Sequence, residues 1–535
     1  MKSYLNIMAL ACLLAITGCK SKQTATVSEK PEQAVAKETD GKKKNILFIA
    51  VDDLKPLLNS YGESQMITPN FDRLAKMGVS FTNAHVQYAV CGPSRASVMT
   101  GTYPDRTKVW DLHTNFRESA PELISMPEYL ISQGYETTAV GKIYHKGSSS
   151  PGHDGKSWSI NHKLAKDEDY PEKYGAPAYG FYQNPETKKR MEALTEEAKS
   201  KGKTKNGQIR SYVLKRFRPS TEMADVDDNA YMDGVYTEIA IKKLDRLMKT
   251  GKPWFLGVGY QRPHLPFVAP KKYWDLYDRD KVKLAEFQQL AEGTPMLAYH
   301  SFGELRAYSD IDDNYNIGDI INEDKQRELV HGYMAAVSYI DAQLGILLDT
   351  LESKGILDDT VIVLWGDHGW HLGDHTEWCK HSNFEQATRI PFMFAGPGVS
   401  KDQKVDNPVA LLDLFPTVFE LANVPQSPQE EGKSLVPLLD NDANTTITED
   451  AVFHQYARGK RMGYSIRTDK YRYTEWHDND YRSYKPYKEE NIIARELYDY
   501  DKDPLETKNH VEDPEYKAIV TQLKAKLKQH LQDYK

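Results

Sequence analysis

The sequence predicts an α/β domain, a mixed or parallel sheet with helices on both faces, joined to a smaller C-terminal α+β domain with an antiparallel sheet. Three observations lead there. Short runs that are apolar at every position recur along the chain, the pattern of strands buried on both faces. Between them apolar residues fall every three or four positions, the stripe of helices that cover such a sheet. After about residue 440 the texture changes to alternation around turn residues, which reads as a hairpin. The 535 residues are 40% hydrophobic, enough for a large core and more than one ordinary domain.

In chain order, residues 1–19 carry Lys2, an apolar run from about Leu5 to Ile16, and then Thr17-Gly18-Cys19. The run is too short to span a bilayer. Its end resembles the lipobox of bacterial lipoproteins. That implies cleavage, a lipid anchor on Cys19, and an exported protein held at a membrane in the periplasm or at the cell surface. Residues 20–43 are polar and aperiodic, a flexible linker. The domain at 44–440 opens with Asn45-Ile46-Leu47-Phe48-Ile49-Ala50-Val51, a buried strand ending in Asp52-Asp53. Thr68-Pro69-Asn70 starts a short helix that stops at Gly78. Apolar runs at 137–140, 254–259, 361–365 and 391–395 supply further strands. They lead into Gly141-Lys142, Arg262-Pro263-His264, Gly366-Asp367-His368 and Gly396-Pro397-Gly398. A helix over about 334–354 places Val337, Ile340, Leu344, Leu348 and Leu351 on one stripe and ends at Gly355; 411–421 repeats the pattern. No segment beyond the leader reads as apolar for long enough to cross a membrane. Residues 146–232, charged and weakly periodic, read as a solvated helical insertion. In the C-terminal subdomain, 441–535, residues 462–473 form a hairpin, and a charged helix starts near Pro514.

Asp52, Asp53, Lys142, His145, His264, Asp367 and His368 all fall at or just after predicted strand ends. Ligands of parallel α/β sheets bind outside that edge, so these segments can share one crevice. Adjacent acids such as Asp52-Asp53 are costly without a positive charge between them. A divalent cation completed by Asp367 and His368 supplies it, and mostly oxygen donors favour Ca2+ or Mg2+. Cys91-Gly92-Pro93-Ser94-Arg95 puts a thiol in a loop before a helix, with Pro93 at the first helical position. Free helix amides and the guanidinium fork of Arg95 suit a tetrahedral oxyanion.

Cys91-x-Pro93-Ser94-Arg95 followed by Thr100-Gly101 resembles the signature of the type I sulfatases. The iduronate-2-sulfatase-like branch is similar in having His at the place of His368. The resemblance implies an alkaline-phosphatase-like fold and a maturation enzyme that oxidises Cys91 to formylglycine. It implies one metal, Ca2+ with Mg2+ as the alternative, held by Asp52, Asp53, Cys91, Asp367 and His368. Arg95, Lys142, His145, His264 and Lys380 become the residues that bind sulfate and move protons. The implied substrate is a sulfated, uronic-acid-containing polysaccharide such as ulvan or a glycosaminoglycan, or its oligosaccharides. His113, Arg117 and His381 lie near the motifs as candidates for reading the sugar, and the basic stretch at 188–218 is a candidate rim for a polymer.

A formal net charge of -8 gives no global basic field, so no nucleic-acid partner is expected. Cys12 and Cys19 lie in the leader, which leaves Cys91 and Cys379, too few for a disulfide scaffold. There is no phosphate-cradling Gly loop and no Gly-x-Ser-x-Gly elbow. Two other functions fit less of the chain: a phosphatase or phosphodiesterase of the same superfamily, and a lipoprotein that only binds glycans.

Overall fold

The computed structural model describes residues 41–149, 151–440, 451–483 and 487–533. The predicted leader, Cys19 and nearly all of the linker lie outside the described residues. Eight strands form the main sheet: β1 (Asn45–Val51), β2 (Gly78–His85), β3 (Glu136–Gly141), β4 (Trp254–Tyr260), β5 (Thr360–Gly366), β6 (Arg389–Ala395), β7 (Gln403–Val405) and β8 (Val409–Ala410). Six helices matter below: α1 (Pro69–Met77), α2 (Cys91–Thr100), α3 (Met232–Met248), α4 (Glu323–Ser353), α5 (Leu414–Leu421) and α6 (Lys517–Asp533). The strand order is β7–β2–β6–β5–β1–β4–β3, with β8 also beside β2. β3, β4, β1 and β5 are parallel neighbours, whereas β6 runs antiparallel to both β5 and β2. The sheet is therefore mixed, and the strand predicted at 391–395 is its reversed member.

β1 shows why both faces are covered. Leu47, Ile49 and Val51 share an apolar layer with Val235 and Ile239 of α3 and Val337 and Ile340 of α4. Ile46, Phe48 and Ala50 share the opposite layer with Val98 and Met99 of α2 and Leu414 and Val418 of α5. None of these six strand residues is more than 1% exposed. Burying each large one contributes about 1.5–3 kcal/mol. α4 begins at Glu323, well before the predicted stripe, because Gln326, His331 and Tyr333 sit on its buried face too. Asn322 caps it by accepting the Lys325 N–H at 3.0 Å, and Glu323 and Asp324 oppose the helix dipole. Its length and apolarity would suit a membrane span, but it is packed in the core.

Four antiparallel strands, β9 (Ala451–Arg458), β10 (Arg461–Thr468), β11 (Tyr471–His477) and β12 (Ile492–Asp499), form the second sheet. Met462, Ile466, Tyr473 and Leu497 pack there with Leu523 and Leu527 of α6. The described residues from Lys42 onward make one compact unit. Within 146–232 the structure has helices Pro185–Ser200 and Asn206–Leu214. Cys91 and Cys379 are buried and free.

Candidate active site

The sheet ladder runs one residue past its strands. The Asp52 N–H donates to the Tyr260 carbonyl at 3.2 Å, Lys142 N–H to Gly259 at 2.8 Å, and Asp367 N–H to Val51 at 3.3 Å. Three of the predicted residues are thus pinned in register at the carboxyl edge. Gly141 has φ +73°, and a Cβ there would stand 2.1 Å from the Gly259 carbonyl oxygen. Only glycine lets the chain turn there and send Lys142 toward Asp52.

Cys91 is the first residue of α2, not a loop residue, and Pro93 is the third. A helix tolerates proline within its first turn because those N–H groups have no partner inside the helix. The Cys91 Sγ lies 3.2 Å from His368 Nε2 and 3.8 Å from Asp53 Oδ1. Arg95, one turn on, is fully buried. Its Nε donates to Asp367 Oδ2 at 2.8 Å, its Nη2 to Asp52 Oδ1 at 3.0 Å, and its Nη1 to the carbonyls of Ile143, at 3.0 Å, and Lys142. Four of its five N–H donors thus go to two acids and two carbonyls, so Arg95 orders the carboxylates.

Lys142 donates to Asp52 Oδ2. Lys380 reaches both oxygens of Asp53, at 3.1 and 3.0 Å, and stands 4.8 Å above the Trp370 ring. Asp367 Oδ1 accepts the Asp53 N–H at 2.9 Å. His264 donates from Nδ1 to the Leu265 carbonyl at 2.6 Å, and its Nε2 faces Glu304 at 3.3 Å and Asp53 at 3.9 Å. Its hydrogen-bonding neighbours are acceptors, but burial and then Lys380 pull the ring down to about 3, against Asp52 and Glu304, which support the charge; it is neutral at pH 7. His145 is half-buried, and burial followed by Lys142 holds it down at about 3, a neutral ring at pH 7.

The three sugar candidates part company. His381 joins the cluster's rim: its Nε2 is 3.3 Å from Glu304 and its Nδ1 3.0 Å from the Tyr456 hydroxyl. Arg117 is turned away and committed to Asp154, at 2.9 and 2.6 Å, to Glu128 and to the Leu123 carbonyl. His113 is exposed, and its backbone N–H donates to Asp111 Oδ1 at 2.9 Å. Neither is brought to the cluster.

Burial pushes Asp52 up, but Lys142 and then Arg95 outweigh it and hold the carboxyl well below its usual range. Asp53 goes the other way: burial, opposed by Lys380 but reinforced by Asp52, Glu304 and Asp367, raises it well above. Burial and Asp52 likewise push the Cys91 thiol up. Ligand atoms of Asp52, Asp53, Cys91 and His264 lie within 4.8 Å of one another, as do those of Cys91, Asp367 and His368. Three fully buried carboxylates crowded at one sheet edge suit a hard divalent cation, and Asp53 shares its cation, Lys380, with Glu304. The residues fit such an ion.

Residues 44–424 match the family model described as Sulfatase, and residues 373–533 match one described as N-sulphoglucosamine sulphohydrolase, C-terminal. The chain is 32% identical to iduronate 2-sulfatase of Mus musculus over 90% of its own length and 93% of the relative's. It belongs to the sulfatase family. An ulvan-active sulfatase of Formosa agariphila is 25% identical over 98% of this chain and 86% of its own. A solved structure, described as a complex with its substrate D-glucosamine-2-N,6-O-disulfate, shares the fold with a TM-score of 0.69 at 22% identity, over 92% of this chain and 98% of that one.

A sulfatase is a sulfuric ester hydrolase, and the geometry shows which parts of this one sequence reading misses. Glu304 bonds Lys380, His264 and His381, yet it follows no strand and lies in no periodic segment. Tyr456 and Arg458 come from β9 of the second sheet; Arg458 Nη2 donates to the His381 carbonyl at 2.5 Å. No local signal in the sequence brings them to the main sheet's edge.

Proposed function

We propose that this sulfatase hydrolyses sulfate monoesters on a sulfated, uronic-acid-containing polysaccharide or its oligosaccharides, with residue 91 as the nucleophile's position. The observation that supports this best is the Cys91 side chain, helix-mounted at the sheet edge within reach of His368 and Asp53. As encoded, it is a protonated thiol in a buried acidic setting, a poor nucleophile. Converted to formylglycine by a maturation enzyme, position 91 would supply an aldehyde hydrate, whose second hydroxyl lets sulfate leave without attack by water at sulfur. Asp52, Asp53, Asp367 and His368, with residue 91, would hold one divalent cation, Ca2+ in our reading, which supplies charge stabilisation at a sulfate oxygen.

The rest falls to the chain's own side chains. Lys142 and Lys380 neutralise the remaining sulfate oxygens as charge moves in the transition state. His145, neutral, accepts a proton at the nucleophile. His264, with Nε2 3.3 Å from Glu304, is the group that would pick up a proton and pass it to the leaving sugar oxygen. Arg95 keeps Asp52 and Asp367 in place. The names of the similar proteins, iduronate 2-sulfatase and an ulvan-active sulfatase, support a uronic-acid-rich substrate. The leader ending at Cys19 supports an exported lipoprotein, and we divide the chain at 440/441 into catalytic domain and C-terminal subdomain.

Mass spectrometry of protein made in a host with the maturation enzyme, paired with desulfation of a panel of sulfated oligosaccharides, tests this. A formylglycine mass at residue 91, a chain beginning at lipidated Cys19, and released sulfate are expected. Cys91→Ala should lower turnover at least about 1000-fold, roughly 4 kcal/mol of barrier, with an unchanged circular dichroism spectrum. An unmodified Cys91 in active protein, or an active Cys91→Ala, overturns the nucleophile; a fully modified protein that cleaves no sulfated sugar overturns the substrate.

A further inference from the structure

Glu304 sits on a single helical turn, Gly303–Arg306, between the two sheets' contributions to the site. Its Oε1 accepts from Lys380 Nζ at 3.1 Å and lies 3.3 Å from His264 Nε2; its Oε2 lies 3.3 Å from His381 Nε2. Two segments far apart in sequence, at His264 and at Lys380-His381, are thus tied to one carboxylate. The side chains are 24% exposed for Glu304, 3% for Lys380, 21% for His264 and 25% for His381, too sheltered for an ordinary surface ion pair.

The backbone that presents Glu304 is held in place at a cost. Phe302, buried and aromatic, has φ 33° and ψ 48°, a left-handed conformation that a bulky residue adopts only when its surroundings force it. Those surroundings are visible. The Phe302 N–H donates to His300 Nδ1 at 2.9 Å, and the His300 N–H to Glu377 at 2.5 Å. Arg306 clamps the Ser301 carbonyl at 2.7 Å and the Asp313 carbonyl at 2.5 Å. The loop is fixed from both sides.

Lys380 has a long flexible stem and two acids to choose between, Asp53 and Glu304. With Asp53 alone it would fold fully onto that carboxylate and turn its charge away from the pocket. We infer that Glu304 is a positioning residue that fixes Lys380, His264 and His381 as one unit facing the sulfate. The inference rests on the sulfate-ester reading above.

Binding of inorganic sulfate to the full-length matured protein, by calorimetry in calcium-containing buffer at constant ionic strength, tests it without turnover. By charge alone, removing an anion beside the pocket tightens sulfate. Positioning predicts the opposite sign. Glu304→Gln should weaken sulfate about 10-fold, and Glu304→Asp, which keeps the charge but shortens the reach, about 3-fold. The melting temperature of each should stay within about 2 °C of the parent's. Unchanged or tighter sulfate binding by folded Glu304→Gln overturns the inference. If that variant does not fold, Glu304→Asp decides by the same sign. A parent that binds no sulfate overturns the sulfate-ester reading, and this inference with it.

Discussion

Asp53, Phe302, Cys379 and His381 are not glycines, yet their φ angles are 60°, 33°, 77° and 76°. All four lie in or beside the cluster, and two of them flank Lys380. Side chains are set there by backbone conformations that cost about 1–3 kcal/mol each and persist only where packing and hydrogen bonds over-determine them. Glu377, three residues before Lys380, is a related case of imposed environment. It is 1% exposed, its Oε1 accepts the His300 N–H, and its Oε2 makes no hydrogen bond, with the Nε2 atoms of His371 and His300 at 3.5 and 3.7 Å. Burial, opposed by Arg458, raises its pKa from 4.5 to about 8. A carboxyl whose folded pKa is raised adds stability below pH 4.5 and loses it as pH climbs through 8. Chemical denaturation from pH 4 to 9 should therefore show the parent losing stability relative to Glu377→Gln through that window, on the order of 1.4 kcal/mol per unit. Parallel curves would mean that Glu377 is ionised in the fold. Where the Arg95 donors go is settled at this scale, and sequence cannot show it. A guanidinium beside a nucleophile looks the same on paper whether its donors face substrate or two acids.

Strand ends were the readable part of the site, because runs such as 46–51 and 361–365 are apolar throughout and give way to Asp52 and to Gly366-Asp367. β2 was not readable: it follows α1 with no connecting residue, and Ser80, Thr82 and Asn83 break its apolar pattern. The residues that reach the site from outside the sheet edge, Glu304, Tyr456 and Arg458, were hidden because tertiary packing alone brings them there. α2 carries its own test. A Cβ at Gly92 would stand 2.4 Å from Ser148 Oγ and 2.8 Å from the Asp111 carbonyl oxygen. Gly92→Ala should destabilise the protein by about 1–3 kcal/mol and shift Cys91 off its place, lowering turnover more than stability alone explains. A variant with parental melting temperature and turnover would show that the first turn has slack.

The whole molecule joins its two sheets through buried charge. Arg472 of β11, 1% exposed, pairs with Glu506 at 2.7 Å and with Glu385 at 2.6 Å, and Arg467 of β10 holds Glu385 at 3.0 Å. Glu385 stands four residues before β6. Arg472→Met leaves Glu506 without its cation, a loss of about 3–5 kcal/mol. Urea unfolding followed by tryptophan fluorescence and circular dichroism should give one coincident transition in the parent and an earlier one, still coincident, in the variant; separated transitions would mean that the sheets fold apart. The reversal of β6 has a consequence of its own. Since β6 enters the sheet where β5 leaves it, residues 367–388 depart from and return to the same rim. Lys380 and His381 ride on that excursion as on a handle riveted at both ends. Lengthening or reshaping its middle would remodel the mouth that greets a sugar while leaving every rung of the sheet untouched.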